Sequence, residues 1–187
     1  MSRRQRQMCI RDRSYFGQIM VTTNTHIGNY GIEKHESQSK GISIAGLICK
    51  DFSFNFSRPS GTESLFDYLT SHKLVTICDV DTRALVNYIR ENGAMNAVVS
   101  TNIGKEKKLL KELESSPSME GLELASKVST KKSYTVGNPH SKYRIAAIDL
   151  GVKQNILHNM VERNMFVKVF PYDTCLLYTS PSPRDNT

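Results

Sequence analysis

Four cysteines and five histidines are the side chains that could supply a nucleophile, a proton shuttle or a soft metal ligand. Cys9, Cys49, Cys78 and Cys175 form no C-x-x-C pair, and no Cys/His cluster has metal-ligand spacing, so no metal site and no cofactor of its own is expected for this chain. His26, His35, His72, His140 and His158 are scattered, with no plausible Cys or Ser nucleophile beside them in sequence; a pairing in space stays open. Cys49 and Cys78 each end an apolar stretch and read as small buried hydrophobes rather than nucleophiles. Asp79 and Asp81 flank Val80, so on a continuing strand they would face opposite ways and could not act as a carboxylate pair. Asp81 fits better as the N-cap of the helix that follows it.

Phosphate chemistry has little support. No G-x-x-x-x-G-K-[ST] loop occurs, and the stretch from Asp149 to Asn155 holds one glycine where a dinucleotide fingerprint needs three. Gly28 to Gly31 reads as a plain turn, with an anion-binding nest as the alternative.

The elements that must position these residues alternate between strand and helix. Strand character is predicted at 15–23, 42–49, 74–80 and 95–100, where β-branched and aromatic residues gather. Helices are predicted at LFDYL after Ser64, at 82–92 with Gly93 as its stop, at 105–114 with a Leu109/Leu110/Leu113 stripe, and at 119–127. Residues 129–142 are polar, carry Gly137 and Pro139, and read as a linker. After them an apolar strand (144–150), a turn at Gly151, an amphipathic helix (153–164) and a second strand (166–170) make one β-α-β unit. The first of these strands is apolar throughout, as expected for a strand covered on both faces.

The two ends differ from this pattern. The first thirteen residues hold five arginines against the single Asp12, which is more than half of the net charge of +7. They read as a basic disordered arm, and the remaining charge is too ordinary to imply a nucleic-acid partner. The chain closes on CLLYTSPSPRDNT, rich in Ser and Pro. MCIRDR near the start and CLLYTSPSPRD near the end resemble translated sequencing-adapter sequence, so segments 1–13 and 174–187 are expected to be foreign to the protein proper. No apolar run is long enough to span a bilayer, and the thiol usage fits a reducing, cytoplasmic setting, with no membrane partner.

Read in order, SYFGQIMVTTNTHIGNYGI, ISIAGLICKDFS, SLFDYLTSHKLVTICDVDTRALVNYIRENGAMNAVVS, GLELASKVST and IAAIDLGVKQNILHNMVERNMFVKVFP resemble the small chain of glutamine-dependent carbamoyl-phosphate synthase. The resemblance runs from Ser14 to about Asp173, and its most distinctive blocks are D-x-D-T-R-x-L from Asp79 and D-x-G-x-K-x-N-I from Asp149. It implies an α/β fold class. A mixed β/α small-chain domain, truncated and spanning 14–128, would be followed over 143–173 by the first β-α-β unit of a flavodoxin-like class I amidotransferase domain.

It also implies a function. Such small chains hydrolyse L-glutamine with a Cys-His-Glu set and pass ammonia to a large chain, which uses ATP and bicarbonate to make carbamoyl phosphate for arginine and pyrimidine synthesis. The family's nucleophile sits in a G-x-C-L-G-H-Q elbow that does not occur in the 187 residues, so no catalytic residue is expected here. One glutamine-binding position carries over: the family's serine in a D-P-S-Y context matches Ser14, although Arg13 stands where the family has proline. An alternative reading is a non-catalytic module that only docks on the large chain.

Overall fold

The computed structural model describes residues 10–33, 41–102 and 104–175. They fall in two units, Met1–Leu122 and Glu123–Thr187.

In the first unit three short strands run parallel in the order β1 (Ile19–Val21), β2 (Gly46–Ile48), β3 (Thr76–Ile77). Ile19 pairs with Gly46, and Leu47 with Thr76. Helix α1 (Leu65–Ser71) lies between β2 and β3 in sequence. Ser64 caps α1 by accepting from the N–H of Asp67 at 3.0 Å, and Leu65, Tyr68 and Leu69 form its buried face. They join Ile10, Ile27, Ile32, Ile44, Leu47 and Cys49 in one core. Each strand is shorter than its apolar stretch, because a strand lasts only as long as a neighbour supplies ladder bonds.

Helix α2 (Thr82–Asn92) begins where its cap does. Asp81 Oδ1 accepts from the N–H of Arg83 at 3.1 Å and of Ala84 at 3.0 Å. Gly93 ends the helix at φ 83°, its N–H donating to the carbonyl of Ile89. The hydrogen bond from Ala84, then that from Arg83 and the nearby Lys50 and Arg83 charges, hold the Asp81 carboxyl below its ordinary value. The cap is therefore fully present above the unfolded carboxylate pKa of about 3.9 and fades as pH falls through the lower folded value. Asp81→Ala should accelerate hydrogen exchange at the amides of Arg83 and Ala84 at neutral pH, while Asp81→Asn, an equally good cap, should not. Unchanged protection in the alanine variant would remove the cap from the account of this helix.

Helix α3 (Glu106–Ser115) matches its predicted extent, with Leu109 and Leu113 half-buried and Leu110 exposed. Residues 95–100 form no strand: 95–98 are exposed, and Asn96 uses its side chain to reach the carbonyls of Ser116 and Pro117. Asp79 and Asp81 do not share a strand either, since β3 stops at Ile77 and Asp79 adopts φ 63°.

The expected disordered arm fails over its last four residues. Ile10 is 1% exposed and belongs to the core. Arg11 Nε donates to the Tyr68 hydroxyl at 2.8 Å, with its guanidinium 4.3 Å from that ring's centre, and Asp12 is buried. The arginine count that marks the arm as basic says nothing of the apolar and capping positions interleaved with it. Residues 1–9, including Cys9, lie outside the described residues, as do His35 and the Ser/Pro run after Cys175.

In the second unit, α4 (Ala125–Val128) is shorter than the helix expected at 119–127, the chain before it turning at Gly121 with φ 80°. The β-α-β unit is as expected: β5 (Tyr143–Ile148), α5 (Gln154–Glu162) and β6 (Met165–Phe170), with the strands parallel and Tyr143 paired to Met165. The stretch 129–142 is more than a linker, because β4 (Tyr134–Val136) pairs antiparallel with β6 and gives a sheet ordered β4-β6-β5. Leu157 of α5 closes on Val167 and Val169, with Val136, Ile145, Ala147 and Met160 around them. The other face of β5 stays open among the described residues, Ile148 being 42% exposed, so the double coverage implied by its apolar run is not met here.

Candidate functional site

Ser14 sits in a single 3-10 turn, Arg13–Tyr15, that Asp12 initiates. Asp12 Oδ1 accepts from the N–H of Ser14 at 3.0 Å, and its carbonyl accepts from the N–H of Tyr15 at 3.1 Å. The carboxylate is buried at 6% exposure while Ser14 is exposed. A second strip of chain holds the turn. Ser43 donates from its N–H to the carbonyl of Ile10 at 3.1 Å and accepts from the N–H of Gly17 at 3.0 Å. Its hydroxyl reaches the carbonyl of Arg11. From there Ala45 N–H reaches the carbonyl of Gln18 and leads into β2.

The turn thus holds Ser14 exposed to solvent on a backbone pinned from both sides. A serine hydroxyl can donate to a carbonyl or carboxylate of a ligand, or accept from an amide. The sequence points to Ser14 by resemblance alone and places Asp12 in the segment expected to be foreign, without its capping role. The signal was available, since Asp two residues before the first amide it satisfies is a capping pattern.

The other candidates do not converge on a site. Cys49 is buried, with its Sγ 3.7 Å from the carbonyl of Ile77. Burial pushes its thiol up to about 11, with Cys78 and Asp51 adding to the effect, so it carries no thiolate at neutral pH. Cys78 is exposed, against the expectation of a buried hydrophobe, because it lies just past the end of the edge strand β3. Cys175 is also exposed.

His26 meets Asp51 at 2.7 Å on the surface, and His72 rests on Tyr68 with ring centres 4.3 Å apart. His140 and His158 are exposed. No group of three metal-ligating side chains occurs among the described residues.

Gly28 to Gly31 is a structural turn. Gly31 N–H donates to the carbonyl of Gly28, Ser57 N–H to that of Asn29, and a Cβ at Gly28 would strike the carbonyl of Ser53. Asp149, at the end of β5, is 1% exposed and accepts three backbone amides: Gly151 and Val152 on Oδ1, Thr130 on Oδ2. Its carboxylate organises the loop and is not free for a ligand. No helix among the described residues is long and apolar enough to cross a membrane.

Comparison with known proteins adds what geometry leaves open. The family described as carbamoyl-phosphate synthase small chain, CPSase domain, matches residues 5–99, a span that takes in Ser14 and the turn that holds it. The carbamoyl phosphate synthase small chain of Campylobacter jejuni is 38% identical over 180 residues, covering 89% of this chain and 48% of the relative. That of a Synechococcus strain is 36% identical, covering 90% of this chain and 46% of the relative. The arginine-specific small chain of Neurospora crassa is 39% identical over 171 residues, covering 87% and 37%. The chain spans about half the length, or less, of the curated relatives it matches.

Proposed function

The chain belongs to the carbamoyl-phosphate synthase small-chain family, and we propose that it is part of a subunit that hydrolyses glutamine and delivers ammonia to a large chain. The observation that carries this reading is the Ser14 turn inside the family-matched span, an exposed serine on a hydrogen-bonded backbone, suited to holding an amino-acid amide. Ser14 would contact bound L-glutamine. The residues that break the amide would come from a Cys-His-Glu set outside these 187 residues, a thiolate attacking the carbonyl carbon while the histidine moves protons. The large chain would use ATP and bicarbonate to turn ammonia into carbamoyl phosphate in the cytoplasm, for arginine and pyrimidine synthesis. The β-α-β unit of the second half would open a flavodoxin-like class I amidotransferase domain.

Two measurements test this. The purified chain should release no glutamate from glutamine, and a sample that did would overturn the assignment of the chemistry to other residues. In a longer protein that carries this chain together with the remainder of the subunit, Ser14→Ala should raise KM for glutamine about tenfold. That is the loss of one hydrogen bond of about 1.4 kcal/mol. An unchanged KM would remove Ser14 from the site and leave a second reading, in which this half only docks on the large chain.

A further inference from the structure

We propose that Cys49 and Cys78 form a reversible redox pair, in which a hydroperoxide oxidises Cys78 and Cys49 resolves the product into an intrachain disulfide. The two residues are twenty-nine positions apart in sequence, and the β2–β3 ladder brings them together. Leu47 pairs with Thr76 and Ile48 with Ile77, and the next rung is the bond from Cys49 N–H to the carbonyl of Ile77 at 2.9 Å. Continuing that register sets Cys78 opposite Cys49.

Side chains two residues apart on a strand share a face. Cys49 therefore shares the face of Leu47, which is fully buried, and Cys78 that of Thr76, whose hydroxyl oxygen is buried. Paired residues of neighbouring strands point to the same side, so the register carried one residue past β3 would set the two sulfurs on one side of the sheet, with Cys78 at its exposed end. Adjacent strands lie about 4.7–4.9 Å apart, inside the Cα separation of about 4.4–6.8 Å that a disulfide accepts.

Just past Cys78 the ladder slips. Asp79 N–H donates to the carbonyl of Lys50 at 2.8 Å, one residue further than the register demands, and Asp79 takes φ 63°. Cys78 thus lies just past the end of β3, where the regular register stops.

The two environments divide the labour. Cys78 is exposed and meets the oxidant first, whereas Cys49 is buried and shielded from it. The Cys78 sulfur attacks one peroxide oxygen, the O–O bond breaks, and the departing oxygen takes the thiol proton and leaves as water or as an alcohol. Sulfur has lost two electrons to the peroxide and is now a sulfenic acid. The Cys49 sulfur attacks that sulfur, the S–O bond breaks, and the hydroxyl leaves with the Cys49 proton as water. A dithiol reverses the reaction by exchange. In a reducing compartment such a bond would be transient, the usual form of cytosolic disulfides. It would tie the end of β2 to the segment that carries Asp81, the cap of α2.

The test is a peptide map of the whole chain after brief hydrogen peroxide treatment and alkylation, with and without dithiothreitol. The expected result is a Cys49–Cys78 linked peptide that disappears on reduction. Cys78→Ser should abolish it, and Cys49→Ser should leave Cys78 trapped as a sulfenic acid that dimedone labels. The wild-type map stands by itself if the buried Cys49 variant fails to fold. Dimedone labelling of wild-type Cys78 without the linked peptide would overturn the proposal. So would disulfides confined to Cys9 or Cys175, or an unreacted Cys78.

Discussion

Replacing Asp149 by alanine is expected to destabilise the second unit by about 3 kcal/mol, since three half-buried backbone amides lose their buried acceptor at once. An orphaned buried donor costs roughly 1–3 kcal/mol, and entry of water into the vacated space limits the sum. The whole stability of a unit this small is on the order of 3–10 kcal/mol, so the variant should sit at the edge of unfolding. Asp149→Asn separates hydrogen bonding from packing. It keeps one oxygen for Gly151 and Val152, but sets an amide NH2 against the N–H of Thr130. Its loss should fall between wild type and alanine. Urea unfolding followed through tyrosine fluorescence reads both, because the chain has no tryptophan and the unit carries Tyr134, Tyr143 and Tyr172. Equal midpoints for the alanine variant and wild type would show that the carboxylate is dispensable to the loop.

Leu65→Ala should be comparably severe in the first unit, at about 2–5 kcal/mol. Leu65 is fully buried and opens α1, packed into the cluster that also holds Leu47 and Tyr68. Truncation removes apolar contact and leaves a cavity that short strands and one helix cannot close. Two comparisons give the prediction its content. Phe66, the next residue, is 44% exposed and touches Phe54 edge to face at 5.2 Å, so Phe66→Ala should cost only about 1 kcal/mol. Leu110 is 56% exposed on α3, and Leu110→Ala should stay within about 0.5 kcal/mol. If all three variants unfolded at the same urea concentration, the cluster around Leu65 would not be what holds the unit together.

Some of this was legible from short stretches of sequence because the forces involved act over a few residues. The Asp81 cap, the Gly93 stop, the span of α3 and the β-α-β order of the second half are set by capping hydrogen bonds and by apolar periods of 3.6 and 2. The family, too, was readable from ordered motif blocks, and residues 5–99 match it. The candidate site was half legible: Ser14 could be named, but the buried Asp12 and the Ser43 strip that hold it could not.

What the tertiary structure alone decided concerns partners far apart in the chain. Residues 95–98 have strand composition and stay exposed, since composition cannot supply a neighbouring edge. Tyr134–Val136, in a stretch polar enough to pass for a linker, became a strand because β6 offered one. Ile10 is core although arginines surround it, and Cys78 is exposed although an apolar run precedes it. The sequence by itself determined the family, the α/β alternation and the caps. The ladder and the core decided which apolar runs became strands, which cysteine meets solvent and what holds Ser14 in place, because burial and cross-strand hydrogen bonds are properties of pairs that only the folded chain brings within reach.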